Sequence, residues 1–196
     1  MKARTSTSGK WRRSVPSRSS FIVHRSPFIT CRSSLVLFSR SPAETRALGR
    51  QLGRLLAGDE VVALSGPLGS GKTCLVQGIG RGLAVSQTIN SPSYVLMKRY
   101  RGRATLTHWD WYRLADAADF ESCGFGDPQV EPGVVVIEWA ERFLDQIERP
   151  FLHVEIALTG EHSRAFRWSV RGRSQRLRGM LDDVKAWWHA RLGNEN

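Results

Sequence analysis

Glu60-Val61-Val62-Ala63-Leu64-Ser65 runs directly into Gly66-Pro67-Leu68-Gly69-Ser70-Gly71-Lys72-Thr73, and Cys74-Leu75-Val76-Gln77-Gly78-Ile79 follows without a break. The first six residues form an apolar run bounded by a glycine, which predicts a buried strand. The last six place Leu75, Val76 and Ile79 at helical spacing, continued by Leu83. Between them lies G-x-x-x-x-G-K-[ST], for which this composition gives roughly 0.006 chance matches. A strand, a glycine-rich turn and a helix in this order are what a phosphate loop needs. Gly69 and Gly71 let the backbone turn its N–H groups inward. The positive end of the helix points at the same place. Lys72 adds a charge for outer phosphates, and the Thr73 hydroxyl is suited to magnesium. Nucleotide binding is the strongest expectation; Cys74, in the first helical turn, reads either as an inert buried cysteine or as a nucleotide-protected thiol whose pKa the helix dipole lowers.

Outward from the loop the chain alternates elements. Leu35–Phe38 reads as a strand. Ser41-Pro42-Ala43-Glu44 reads as a capping box opening a helix that carries Leu48, Leu52 and Leu55 and ends near Gly58. Tyr94–Tyr100 and Ala104–Asp110 flank Arg101-Gly102-Arg103 as a hairpin. Residues 115–122 read as helix, Val134–Ile137 as a buried strand, and Glu141–Ile147 as a short helix. Alternation over Leu152–Leu158 and Phe166–Val170 predicts two more strands, and Ser174–Leu192 a closing helix. About seven strands with helices in mixed order mean an α/β fold with a mixed, P-loop NTPase-like sheet flanked by helices.

The chain has 196 residues and a formal charge of +11. Residues 1–34 hold eight basic residues and no acid, leaving 21 basic against 18 acidic over 35–196. The basicity therefore belongs mainly to a tail, and 35–196 reads as one ordinary domain. The tail, rich in Ser and Arg, is expected to be a disordered extension or a start placed too far upstream; the same composition also marks an organelle transit peptide. Three scattered cysteines exclude a disulfide scaffold and a Cys-rich zinc module and fit a reducing compartment. The expected location is cytoplasmic, or an organelle if the tail is a transit peptide.

A phosphate loop needs a carboxylate at the end of a neighbouring strand. Asp110 and Glu138 stand at the ends of Thr105–Asp110 and Val134–Ile137. Alternation puts His108, Asp110 and Tyr112 on one side of the strand, with Trp109 and Trp111 in the core on the other. Ser91-Pro92-Ser93-Tyr94 is either a plain proline turn or a switch segment.

The order of these motifs resembles the TsaE family, ATPases of a tRNA threonylcarbamoyladenosine-modification system. The motifs are Gly66–Thr73, Ser91–Tyr94, His108-Trp109-Asp110-Trp111-Tyr112-Arg113-Leu114 and Ile137-Glu138-Trp139, with Thr45 and Gly124-Phe125 also in place. The resemblance implies that Pro67, Leu68, Gly69, Ser70, Gly71, Lys72, Thr73 and Cys74 surround ATP. Thr45 would lie near the adenine and Ser93 near the γ-phosphate. It also implies Mg2+ on Thr73 and Glu138, Asp110 as the acid for hydrolysis with Lys72 as its catalytic cation, and TsaD and TsaB as partners. Ser93 and Cys74 replace the family's usual threonines. Two other classes remain as alternatives: a small-molecule P-loop kinase, and a nucleotide-gated binding module with little hydrolysis. The run Arg164, Arg167, Arg171, Arg173, Arg176 and Arg178 reads as a solvated face or as a weak contact with tRNA phosphates.

Overall fold

The computed structural model describes residues 34–126 and 133–193. The basic extension expected over 1–34 lies outside these residues except for Ser34, the first residue of β1. The strands are β1 (Ser34–Ser39), β2 (Val61–Ser65), β3 (Met97–Tyr100), β4 (Leu106–Asp110), β5 (Val134–Glu138), β6 (Phe151–Leu158) and β7 (Arg164–Arg171). The helices are α1 (Pro42–Leu55), α2 (Lys72–Gly82), α3 (Ala117–Ser122) and α4 (Gln175–Gly193).

The strands form one sheet in the order β1-β7-β6-β2-β5-β4-β3. β2 pairs in parallel with both β5 and β6, and β4 pairs in parallel with β5. The two margins are antiparallel: β7 on β6 and β1 on β7 at one side, β3 on β4 at the other. The mixed sheet expected from the sequence is therefore present, and the phosphate-loop strand lies inside it. β2, β4 and β5 are buried along their whole length; β2 and β5 accordingly read as nearly unbroken apolar runs, whereas β4 buries the polar Thr107, His108 and Asp110.

One sheet face packs Leu48 and Leu52 of α1, Leu75 and Ile79 of α2, and Leu181 and Trp188 of α4. The other face carries α3 and the segment after β5, with Trp109, Trp111 and Phe120 at its centre. Trp111 meets Phe120, Phe125 and Phe143 edge-on, with centroids 5.2, 5.0 and 6.1 Å away. This aromatic cluster anchors one side of β4, so His108 and Asp110 project to the opposite side, as alternation predicts.

α1 starts as its sequence dictates: Ser41 Oγ accepts the Glu44 N–H, and the Glu44 carboxylate accepts the Arg40 N–H. It ends at Leu55, earlier than Gly58. Gly58, at φ +133°, instead turns the chain so that the Glu60 carboxylate accepts the N–H groups of Ala57, Gly58 and Asp59. Two further elements differ from expectation. β3 starts only at Met97, because a turn from Pro92 to Val95 and a left-handed Leu96 (φ +61°) precede it. Glu141–Ile147 is no single helix; it is two 3-10 turns, Ala140–Arg142 and Leu144–Gln146, separated by Phe143 in a non-helical conformation (φ −141°, ψ 34°).

α1 and α2 lie unusually close. A Cβ on Gly49 or Gly53 would overlap the carbonyl oxygens of Leu75 or Ile79, and one on Gly78 or Gly82 would overlap those of Arg46 or Arg50. Glycines spaced four apart on both helices thus bring the two backbones into direct contact.

Candidate functional site

The loop after β2 is shaped by glycine. Gly66 (φ +142°) passes so close to β6 that a Cβ would overlap the Ile156 carbonyl oxygen. Gly69 (φ +75°) and Gly71 (φ +101°) adopt left-handed dihedrals with no heavy atom within 4 Å of a Cβ, so the space beside them is open. α2 begins at Lys72 with no side chain capping it, leaving its first N–H groups directed at that space. Ser70 is fully buried, and its hydroxyl has no partner among the described residues. Loop, free N–H groups and unpartnered hydroxyl together suit a bound phosphate.

Lys72 is 4 % exposed. Its ammonium donates to the carbonyls of Gly66 (2.6 Å) and Pro67 (3.0 Å) and sits 3.7 Å from the centroid of the Trp139 ring. Burial pulls its pKa below the usual lysine range, opposed by the charges of Glu138, Glu141 and Asp110. Trp139 holds a left-handed backbone (φ +60°), uncommon for a bulky residue, and its ring packs on Tyr112 at 4.8 Å.

The two strand-end acids stand side by side, since Asp110 pairs with Glu138 in the β4–β5 register. Glu138, 3 % exposed, accepts from the Thr73 hydroxyl at 3.0 Å and from His108 Nε2 at 2.9 Å. His108 is fully buried, and its Nδ1 has no partner among the described residues. Asp110 Oδ2 accepts from Ser91 (2.7 Å) and Ser93 (2.6 Å), and Oδ1 accepts the Tyr112 N–H (3.0 Å). The Thr73–Glu138 pair offers a hydroxyl and a carboxylate, the hard oxygen donors that magnesium takes alongside phosphate oxygens. Among the described residues no group of three or more His, Cys, Asp or Glu gathers as a metal cluster. A cation here would complete its shell with ligand and water oxygens.

The residues singled out in the sequence thus converge: Gly66–Thr73, Ser93, Asp110 and Glu138 meet at one end of the sheet. Two others stand differently. Thr45 is buried in α1, its hydroxyl 2.8 Å from Ser39 Oγ and 3.3 Å from the Ser41 carbonyl. For Cys74 the structure favours the inert buried thiol over the activated one. Burial raises its thiol pKa, despite the opposing influence of Arg46, Arg164 and Arg81. Its sulfur points at α1, 3.3 Å from the Pro42 carbonyl and 3.5 Å from Arg46 Nη1, so burial outweighs the helix dipole.

Four contacts escaped the sequence reading. Ser91 shares Asp110 with Ser93, a pairing that their spacing of two could have suggested. His108 holds Glu138, within reach of an argument from alternation. Trp139 over Lys72 depends on a left-handed residue that no local pattern signals. Arg164 donates to the Gly69 carbonyl at 3.3 Å across 95 positions of chain.

A family model described as "Threonylcarbamoyl adenosine biosynthesis protein TsaE" matches residues 39–166. A Treponema pallidum protein named tRNA threonylcarbamoyladenosine biosynthesis protein TsaE is 39% identical over 126 residues, covering 64% of this chain and 93% of its own. Its namesake from Nostoc is 38% identical over 128 residues (63% and 76%) and that from Bacillus subtilis 30% over 133 residues (67% and 83%). The crystal structure of Bacillus subtilis YdiB superposes with a TM-score of 0.64 over 79% of this chain and 95% of that one; at 23% identity it supports the fold.

Proposed function

The chain belongs to the TsaE family, and from that premise we propose that it is the magnesium-dependent ATPase subunit that supports formation of the threonylcarbamoyl group on the adenosine next to the tRNA anticodon, acting with TsaD and TsaB. The observation that carries the ATPase reading is the open glycine loop beside an unpartnered, buried Ser70 hydroxyl, with Thr73–Glu138 and Asp110 at its rim.

Bound ATP with magnesium would supply the phosphoanhydride and the charge neutralisation for its cleavage. The loop N–H groups of residues 68–74, at the start of α2, would donate to phosphate oxygens. Lys72 leaves the Gly66 and Pro67 carbonyls and turns to the outer phosphates, with Trp139 shielding it from water. Thr73 and Glu138 would hold the cation, and His108 keeps Glu138 from rotating away. Asp110, gripped by Ser91 and Ser93, orients the attacking water or its network and ties the Ser91–Tyr94 segment to β4. Thr45 would lie near the base without donating its hydroxyl, which is already hydrogen-bonded to Ser39 of β1 and to the Ser41 carbonyl.

The test is steady-state phosphate release and nucleotide titration on wild type, Lys72→Ala, Asp110→Ala and Glu138→Ala, each with and without TsaD and TsaB. Lys72→Ala weakens nucleotide affinity about tenfold or more, the scale of a lost charged hydrogen bond. Asp110→Ala keeps binding and loses about 100-fold in turnover. Glu138→Ala loses mainly magnesium-dependent binding. Wild-type turnover is slow alone and rises with the partners. Hydrolysis by Asp110→Ala at the wild-type rate in the full complex would remove Asp110 from the mechanism.

A further inference from the structure

Charge is spread unevenly over the molecule: α4, on the same sheet face as α1 and α2, carries exposed Asp182 and Asp183, but the corner where α1 and α2 meet is rich in arginine. On the side of α3 and the 3-10 turns, Asp116, Asp119, Glu121, Glu141, Asp145 and Glu148 are exposed. On the opposite side α2 carries no acid, and the one acid of α1, Glu44, binds the Arg40 N–H in the first turn. Arg50, Arg54, Arg81 and Arg101 are exposed there, and none has an ion-pair partner among the described residues.

These arginines are neighbours in space. The Gly82 Cα sits where α1 and α2 touch, and a Cβ on it would overlap the Arg50 carbonyl and come 2.8 Å from Arg54 N. Arg81 is therefore brought against the turn of α1 that bears Arg50 and Arg54. The β3–β4 turn closes on the same point. Arg103 donates its backbone N–H to Leu83 O (2.6 Å) and its guanidinium to Gly53 O (3.0 Å) and Leu56 O (2.8 Å). Arg101, two residues earlier, is anchored through its N–H to Gln87 (3.3 Å). Arg103 thus acts as a structural pin, holding the turn with Arg101 beside the ends of both helices. Asp59, on the turn after α1, is an exposed acid near this corner in sequence, while Glu60 is already bound by Arg176 at 2.6 Å.

We propose that this corner, built from Arg50, Arg54, Arg81 and Arg101, is a contact surface for the phosphate backbone of RNA, the tRNA that the proposed function implies; the inference rests on that reading. A guanidinium grips phosphate through two parallel N–H groups. Four such groups on fixed elements, at the opposite end of α2 from the phosphate loop, suit a polyanion whose charges repeat along a chain. Such contacts position the RNA without reading its bases. The earlier candidate run is a poorer surface, because Arg164 is bound to loop carbonyls and Arg176 to Glu60.

The experiment uses the full chain, in which the basic tail gives every variant the same background. Anisotropy of a labelled, unmodified tRNA is titrated across a salt series for wild type, Arg54→Ala/Arg81→Ala, and the control Arg167→Ala/Arg171→Ala on β7. The corner variant binds more weakly, and the slope of log affinity against log salt shrinks by about one unit per arginine, about two in all. The control keeps the wild-type slope or loses less than the corner pair. Equal slopes in wild type and corner variant, or an equal loss in the control, overturn the proposal. So does unchanged RNA binding accompanied by loss of an acidic protein partner. ATP titration of the same samples separates the two readings: RNA binding that fails while ATP binding persists sinks only this surface, whereas wild type that ignores ATP sinks the ATPase reading.

Discussion

At His153 a buried imidazole is fixed by a single hydroxyl, Ser65 Oγ at 2.8 Å, one residue before the phosphate loop. Burial, with a smaller contribution from Arg171, lowers its pKa from 6.5 to about 4. The folded chain therefore refuses a proton that the unfolded chain accepts. Its contribution to stability is complete above pH 6.5 and drains away as pH falls from 6.5 towards 4; the shift caps the loss at about 3 kcal/mol. Thermal melts at pH 7, 6 and 5 should show a falling Tm for wild type. His153→Gln, which keeps a donor near Ser65 and cannot titrate, should fall less, and parallel curves would refute the assignment. Glu60 does not confuse this window. Burial alone would raise its pKa, but the N–H groups of Gly58 and Ala57, with Arg176, bring it below 4.5. Cys74 gives a second test at this scale. With its pKa raised by burial, iodoacetamide at pH 7.5 should modify it at least about tenfold more slowly than a free thiol, read site by site by mass spectrometry. Arg46→Ala, which removes the opposing charge, should slow it further; a rate equal to or above that of free thiol would restore the dipole-activated cysteine.

Among the elements, the α1–α2 contact makes the sharpest demand on side-chain size. A methyl on Gly78 would overlap the Arg46 carbonyl and come 2.9 Å from the Gly49 Cα, backbone that cannot swing aside. Gly78→Ala should cost about 3 kcal/mol in urea unfolding, the upper range for overpacking. Gly179→Ala in α4, with no atom within 4 Å of the new methyl, should instead stabilise by about 0.5–1 kcal/mol. A neutral Gly78→Ala would mean that the helices separate freely. These glycines also mark the limit of what the chain discloses about itself. The strand–loop–helix of Glu60–Leu83 was legible because period and motif are local, and the acids were legible because strand ends are local too. The facing of Gly49 and Gly53 against Gly78 and Gly82 is a tertiary relation, invisible in either helix alone. The left-handed Leu96 and Trp139 were illegible for a related reason. Local propensity opposes both, and packing overrides it, shortening β3 and dividing the expected 141–147 helix into 3-10 turns.

For the whole molecule, the position of β2 governs assembly. Its partners β5 and β6 begin at Val134 and Phe151, so the strand that launches the phosphate loop completes its hydrogen bonds only through distant chain. Such non-local pairing slows folding. During refolding from urea, binding of a fluorescent ATP analogue should return only with the slowest phase of tryptophan fluorescence. Recovery of binding ahead of that phase would show that the loop forms without its sheet.

On the ribosome the same arrangement sets a waiting time. Val61–Ser65 leaves the exit tunnel as a bare, uncharged, β-prone segment long before Leu158 has been polymerised. At about 5–20 residues per second the gap lasts roughly 5–20 s, during which neighbouring nascent chains or chaperones are the partners within reach. Transcripts cut before β6 should accordingly yield insoluble product rather than a weakened ATP binder, and codon usage between β2 and β6 becomes a lever on yield.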